Sequence, residues 1–262
     1  MPTYSSRLGS GYYLALTNAV VDALRSVRTV GELTTLMEAI AREMGFRYFA
    51  LIHHDDLAAH HSHLVDIKDY PSAIGERLFG QRYYRRDPII RGCLFADSAF
   101  LWSDLPRIIR LENRDRASFE LGALEGLNEG ITVPYIRLGD RMGSCTFAGM
   151  QRPEQAHLYL GAAQMIGIFA FQSARRIIGE EPSPASASAK LHPRPRECVI
   201  LAGRGYSNKR IARALTLTPR TVDGYLTEAR RLFDARDRTE LVISAVLAGE
   251  IGLDELKNGQ PE

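Results

Sequence analysis

Eleven consecutive residues divide this chain. The run Gly179-Glu-Glu-Pro-Ser-Pro-Ala-Ser-Ala-Ser-Ala189 contains two prolines and otherwise only small or acidic side chains. Such a segment cannot bury enough apolar surface to offset the entropy of ordering its backbone, so it reads as a linker. The chain is therefore expected to fold as two bodies, residues 1–178 and 191–262, joined by 179–190. Its length of 262 residues suits two domains. A hydrophobic fraction of 45% and a charged fraction of 24% are globular values.

The three cysteines, Cys93, Cys145 and Cys198, are scattered and odd in number. They offer neither a disulfide framework nor zinc spacing. The N-terminus lacks the apolar core of roughly 7–15 residues that a signal peptide needs. The sequence also lacks the run of about 20 apolar residues that spans a membrane. These readings place the protein in the cytoplasm, without a membrane partner. Net charge is only +2, so any nucleic-acid partner must be argued from where the charge sits.

The larger part alternates helix and strand signals. Residues 14–28 and 32–44 repeat apolar side chains at helical spacing, and Gly45 ends the second run. Tyr48–Ile52 reads as a strand, 72–84 and 114–127 as helices, and 130–136 and 144–148 as the strands of a hairpin. The turn between those strands carries Gly139 and Asp140. Residues 154–178 form a long, largely apolar helix. The fold class is α+β: helices on both faces of a short antiparallel sheet, an α/β/α sandwich with room for a small molecule between layers.

The smaller part is all-helical. Residues 194–204 form a first helix with Val199, Ile200 and Ala202 inward. Ser207 or Asn208 can cap the next, which runs through Ile211, Ala212 and Leu215. Thr218-Pro219 is a strong start signal for a third helix, whose buried face carries Val222, Leu226, Ala229 and Leu232. Arg220, Thr221, Asp223, Gly224, Thr227, Arg230 and Arg231 fall on its other faces. A fourth helix spans Thr239–Ala248. Between 190 and 238 twelve basic residues face five acidic ones, a net +7 against +2 for the whole chain. A pair of helices with such local charge is built for a duplex: cations fix the register on phosphates and the exposed face of the second helix meets base edges.

This smaller part resembles the LuxR-type helix-turn-helix. The shared residues are Arg196-Glu197, Gly205-x-Ser207-Asn208-Lys209-x-Ile211-Ala212, Arg220-Thr221-Val222-x-x-Tyr225-Leu226 and Arg238-Thr239-Glu240-Leu241. The resemblance implies a four-helix domain whose third helix enters the major groove of a promoter dyad site, as a homodimer. Ser207, Asn208, Lys209, Thr218, Arg220, Thr221, Asp223, Gly224, Thr227, Arg230 and Arg231 are the implied contacts to double-stranded DNA. Asp223 stands where the family often has a basic residue, and Glu228 where it often has Asn. Asp223 could accept from a cytosine amino group.

The larger part is similar to the autoinducer-binding domain of bacterial quorum-sensing LuxR-type regulators. It carries Tyr70-Pro71, Tyr84-x-x-Asp87-Pro88, Phe100-Leu101-Trp102, Gly130-x-x-x-Pro134 and Thr146 in the family's order. The resemblance implies no cofactor but a small amphiphilic ligand, an acyl-homoserine lactone or a relative of one. Asp87 would accept from the ligand amide, since burying that N–H unpaired costs about 1–3 kcal/mol. Tyr70 and Thr146 would meet the acyl carbonyl, and Trp102 would wall the head group. The tail would meet Phe49 and Leu51, or their alternates Ala50 and Ile52, according to strand register. Ile74 and Leu78 depart from the family, which usually has Trp and often Tyr there. Ile74 cannot donate the indole N–H that would reach a lactone carbonyl, which points to an altered head group or an unusual acyl part.

Other classes fit less well. The sequence has no GxxxxGK[ST] loop, no receiver-type acidic cluster, no nucleophile motif and no paired catalytic carboxylates, so no enzymatic activity is expected. His53, His54, His60, His61 and His63 are irregularly spaced and read as a solvated loop rather than a metal site. The expected function is a ligand-responsive transcriptional regulator. The alternatives are a ligand-independent regulator of the same type, or one responding to a molecule that is not a lactone.

Overall fold

The structure is a computed structural model that describes residues 18–54, 64–70, 87–179 and 190–257. The expected helix 72–84, with Ile74 and Leu78, lies outside the described residues, as does most of 179–190. The chain separates into two compact units, Met1–Glu181 and Pro182–Glu262.

In the first unit a helix over 18–26 (α1) precedes α2 (Val30–Glu43). Thr29 caps α2 by accepting from the Glu32 N–H, and Gly45 follows its end at φ +81°, a left-handed geometry that suits glycine. The strands are β1 (Tyr48–His53), β2 (Asp66–Asp69), β3 (Phe100–Leu101), β4 (Gly130–Tyr135) and β5 (Gly143–Ala148). They form one sheet in the order β2-β1-β5-β4-β3, with every pair antiparallel. The short edge strands β2 and β3 add to the three strands expected from the sequence. Both are too brief for alternation to announce them.

Strand alternation sorts the core. Phe49, Leu51, Ile131, Val133, Cys145 and Phe147 face one side, where they join α2 and a long helix in the main apolar cluster. That long helix begins as a 3₁₀ segment, Pro153–Tyr159, and becomes α-helical only over Leu160–Ile177 (α6), so the expected single helix 154–178 is two pieces. Close approach of α6 to the sheet requires Gly167: a Cβ there would sit 2.8 Å from Val133 Cγ2 and 3.1 Å from Cys145 Cβ. Phe46, Phe49, Phe147 and Phe171 are each essentially inaccessible. Full burial of such a side chain contributes about 1.5–3 kcal/mol.

The opposite face carries Tyr48, Ala50, Ile52, Ser144, Thr146 and Thr132. It is covered by α3 (Pro88–Cys93), a 3₁₀ turn (Trp102–Asp104), α4 (Leu105–Ile108) and α5 (Asn113–Leu124). These elements share a second, smaller apolar cluster with Trp102 and Ala148. A part-buried ion pair ties this layer together: Arg91 of α3 reaches the buried Asp115 of α5 at 3.0 Å and also donates to Arg110 O. Asp115 in turn accepts from the Glu112 N–H at 2.8 Å.

The second unit contains α7 (Pro193–Gly203), α8 (Asn208–Leu215), α9 (Pro219–Leu232), α10 (Arg238–Leu247) and a short α11 (Leu253–Lys257). Its core is Cys198, Val199, Ala202, Ile211, Ala212, Val222, Leu226, Ala229, Leu241, Ala245, Val246 and Ile251. Cys198 takes the inward position expected of Ile200, which packs at the margin, while Leu232 is exposed. The extra helix α11 has a structural purpose. Arg196 donates to Glu250 O and pairs with Glu255, and Arg204 donates to Glu255 O. No helix among the described residues is long and apolar enough to cross a membrane.

Candidate ligand cavity and nucleic-acid interface

Asp87 stands at the mouth of α3 as its N-cap. Its Oδ1 accepts from the Ile89 N–H at 2.9 Å and the Ile90 N–H at 3.1 Å, and Pro88 occupies the first helical position. The same carboxylate lines a cavity under the sheet, so cap and cavity wall are one residue. Around it the cavity gathers Ile52, Tyr70, Pro88, Ile89, Ile90, Trp102, Ser118, Phe119, Gly122, Leu127, Ser144 and Thr146.

A hydrogen-bonded chain crosses its floor. The Trp102 indole N–H donates to Thr132 Oγ1 at 3.0 Å, and Thr132 Oγ1 lies 3.1 Å from Thr146 Oγ1. Thr146 is also the hydrogen-bond partner of the Tyr70 hydroxyl. Burial, then the neighbouring Asp87 charge, push the Tyr70 phenol far above its ordinary value, so it remains a neutral donor. Part of the Tyr70 side chain is exposed while its hydroxyl end lies deep. Trp102 is held against the sheet by Gly130, where a Cβ would sit 2.6 Å from the indole. Glu129 sets that corner by accepting from the Gly130 and Ser103 N–H groups.

Tyr70, Asp87, Trp102, Thr146 and Ile52 are thus brought together. Ala50 lies on the same sheet face, paired with Thr146 and fully buried, but it is not among the residues lining the cavity. Phe49 and Leu51 fall on the opposite face, within the main core. Sequence reasoning missed Thr132, Ser144 and the α5 residues Ser118, Phe119 and Gly122. Ser144 was reachable, since it sits two residues from Thr146 on one strand and shares its face. Thr132 was reachable by pairing the hairpin. The α5 residues carried no local signal.

The histidine cluster requires a correction. His53 ends β1 buried, with Nδ1 accepting from the Val65 N–H at 2.9 Å and its ring edge-on to Phe171. His54 is part-buried, its Nε2 2.9 Å from Ser144 Oγ. Neither belongs to a solvated loop, because β1 runs one residue further than alternation alone indicated and β2 covers it. His60, His61 and His63 lie outside the described residues. No group of His, Cys, Asp or Glu among the described residues could hold a metal ion, and all three cysteines are buried thiols.

In the second unit Ser207 proves to be the cap of α8, accepting from the Arg210 N–H, and Asn208 is its first residue. Thr216 turns the chain at φ 56°, and Thr218 caps α9 by accepting from the Thr221 N–H at 3.1 Å. Arg220, Asp223, Gly224 and Arg231 are exposed on α9, with Thr221, Thr227 and Arg230 half-buried beside them; Lys209 is exposed on α8. Thr227 accepts from Arg230. The Asn208 amide donates to Asp223 Oδ1 at 3.3 Å and accepts from Arg238, which also donates to Tyr206 O. The local positive charge is therefore unevenly available. Arg196, Arg204, Arg236 and Arg238 are engaged inside the unit, leaving Lys209, Arg210, Arg213, Arg220 and Arg231 as its exposed cations around α8 and α9, with Arg210 stacked over the Tyr206 ring.

Comparison with known proteins agrees with both halves. Residues 29–174 match the autoinducer binding domain family, and residues 189–245 match the bacterial regulatory proteins of the luxR family. The transcriptional activator protein BjaR1 of Bradyrhizobium diazoefficiens is 25% identical over 231 residues, covering 86% of this chain and 92% of that protein. The quorum sensing-dependent transcriptional regulator RpaR of Rhodopseudomonas palustris is 33% identical over 172 residues, 64% of this chain and 67% of its own. Among solved structures, SdiA of Escherichia coli shares the fold at a TM-score of 0.56 and 16% identity, over 91% of this chain and 99% of that one. The chain belongs to the LuxR family of transcriptional regulators that carry an autoinducer-binding domain, and not to a family of enzymes.

Proposed function

We propose that the protein senses an acyl-homoserine-lactone-like signal and, as a homodimer, binds a promoter dyad. The carrying observation is the convergence of Asp87, Tyr70, Thr146 and Trp102 on one cavity whose other walls are mostly apolar. An amide N–H would donate to the Asp87 carboxylate, and an acyl carbonyl would accept from the neutral Tyr70 hydroxyl. Trp102 has its N–H engaged by Thr132, so it serves as a wall for the head group. A solved relative of the fold, CepR2 of Burkholderia cenocepacia, is described as N-acylhomoserine lactone dependent; its TM-score is 0.51 at 17% identity, over 63% of this chain and 98% of that one.

The cavity encloses about 60 Å³, whereas sites for molecules of this size span about 300–1,000 Å³. Among the described walls, one would shift to admit the ligand. Helix α5 is suited to it, because only Asp115 and Gly122 are buried on it while Leu121 and Leu124 are exposed. Ligand bound to the folded state alone would add about 2.7 kcal/mol of stability at a hundredfold excess over Kd. The dimer, for which α6 is the candidate surface, would set two copies of α9 in successive major grooves, with Ser207, Asn208, Lys209, Thr218 and Arg220 on phosphates and Thr221, Asp223, Gly224, Thr227, Arg230 and Arg231 toward the groove. A second reading, a signal with a head group other than a lactone, is favoured by Ile74, which has no N–H to offer. Calorimetric titration of the full chain with straight-chain acyl-homoserine lactones, followed by gel shift on promoter DNA at stated salt, tests both. Submicromolar lactone binding that strengthens the DNA shift is expected. Absence of lactone binding, with DNA binding retained, would reject lactone sensing.

A further inference from the structure

The cavity has a second polar end. Along β5 the register runs from Ala148, opposite Gly130 where Trp102 packs, through Thr146 opposite Thr132, to Ser144 opposite Pro134. Ser144 therefore lies about 7 Å beyond Thr146, on the same face and away from Trp102. It lines the cavity and is 2% exposed. Its Oγ is 2.9 Å from His54 Nε2, and the His54 backbone N–H donates to Met142 O at 2.8 Å, which anchors the imidazole at that end of the sheet. The Cys93 thiol lies within hydrogen-bonding reach of the same hydroxyl. A serine hydroxyl offers one donor and two acceptor sites. His54 occupies one of them, which leaves the hydroxyl capacity for a further partner in the cavity. A site made only for a saturated tail has no use for a hydroxyl with unmet hydrogen-bonding capacity in its wall, since an alkyl chain cannot satisfy that capacity once water is excluded.

We infer that the signal carries a second, neutral hydrogen-bonding group such as a hydroxyl, about 7 Å from the carbonyl that Tyr70 would hold beside Thr146, and that Ser144, oriented by His54, selects for it. This inference rests on the lactone reading above. The test is calorimetric titration of the full-length protein with N-hexanoyl- and N-(6-hydroxyhexanoyl)-homoserine lactone. The wild type, Ser144→Ala and His54→Ala are compared, with thermal melts recorded for each. The wild type is expected to bind the hydroxylated compound about five- to tenfold more tightly, the value of one buried hydrogen bond. Ser144→Ala should bring the two affinities within about twofold by weakening only the hydroxylated one, and His54→Ala should narrow the gap in the same direction. Equal binding of both compounds by the wild type, or an undiminished preference in Ser144→Ala, overturns the inference alone. A fall in melting temperature with equal weakening of both compounds also overturns it, because the pair would then only pin β1 to β5. Binding of neither compound by the wild type overturns the lactone reading, and this inference with it.

Discussion

Asp87 does two jobs that substitution can separate. Its Oδ1 accepts two backbone N–H groups at the start of α3, at 2.9 and 3.1 Å, and its carboxylate faces the cavity. Asparagine keeps an oxygen of the same reach and is as good an N-cap as aspartate, while alanine removes the cap at about 1 kcal/mol. Asp87→Asn should therefore leave stability within about 0.5 kcal/mol of wild type, and Asp87→Ala should cost about 1 kcal/mol. Ligand binding should order differently. Exchanging a charge-assisted acceptor for a neutral amide forfeits about half of that bond, or roughly 1 kcal/mol, which is about a fivefold loss. Removing the acceptor leaves the ligand N–H unpaired and costs about 1–3 kcal/mol, which is about five- to 150-fold. Urea denaturation monitored by tryptophan fluorescence reports the first quantity, since Trp102 is the sole tryptophan and lies in this unit. Calorimetric titration with an acyl-homoserine lactone reports the second. An Asp87→Ala variant that binds as tightly as wild type would refute the assigned role of the carboxylate. An Asp87→Asn variant as unstable as Asp87→Ala would refute the cap argument.

The remaining predictions address other parts of the molecule. Burial raises the Tyr70 phenol and the Cys93 and Cys145 thiols above their ordinary values of 10.0 and 9.0. The folded unit therefore holds protons that the unfolded chain releases, and the stability present below about pH 8.5 falls as pH rises. Above about pH 9.5 the two thiols alone should give a slope near 2.7 kcal/mol per pH unit, measured by urea midpoints between pH 7 and 10.5; a flat profile would contradict the burial argument. Asp115→Ala strands Arg91, which is 24% exposed at its side chain. It should destabilise the first unit by about 3 kcal/mol on denaturant melts. Arg220→Ala should weaken promoter binding for all sequences alike and reduce the slope of log K against log salt by about one, read by gel shift or anisotropy across a salt series.

How much of this was legible beforehand depended on the range of the physical signal. Caps and stops act within one turn. Thr218-Pro219, Ser207 before Asn208, and Gly45 therefore announced the ends of α9, α8 and α2 within a residue or two. The order of motifs along the chain likewise announced the family. Period and composition also settled the α+β class of the first unit and the helical character of the second. These properties follow from backbone and neighbouring side chains alone, so the linear order of residues determined them.

Tertiary structure decided what depended on pairing. The β1–β5 register put Ile52 and Ala50 on the cavity face and Phe49 and Leu51 in the core, a choice that sequence left open because a one-residue slip exchanges the faces. The same register joined Thr132 to Thr146 and His54 to Ser144, partners 14 and 90 residues apart. Charge followed the same rule. Twelve cations were countable between 190 and 238, but only folding showed Arg196 and Arg204 engaged with Glu250 and Glu255, leaving others for a duplex. Formal charge is a property of the residue. Its availability to a partner is a property of what the fold places beside it.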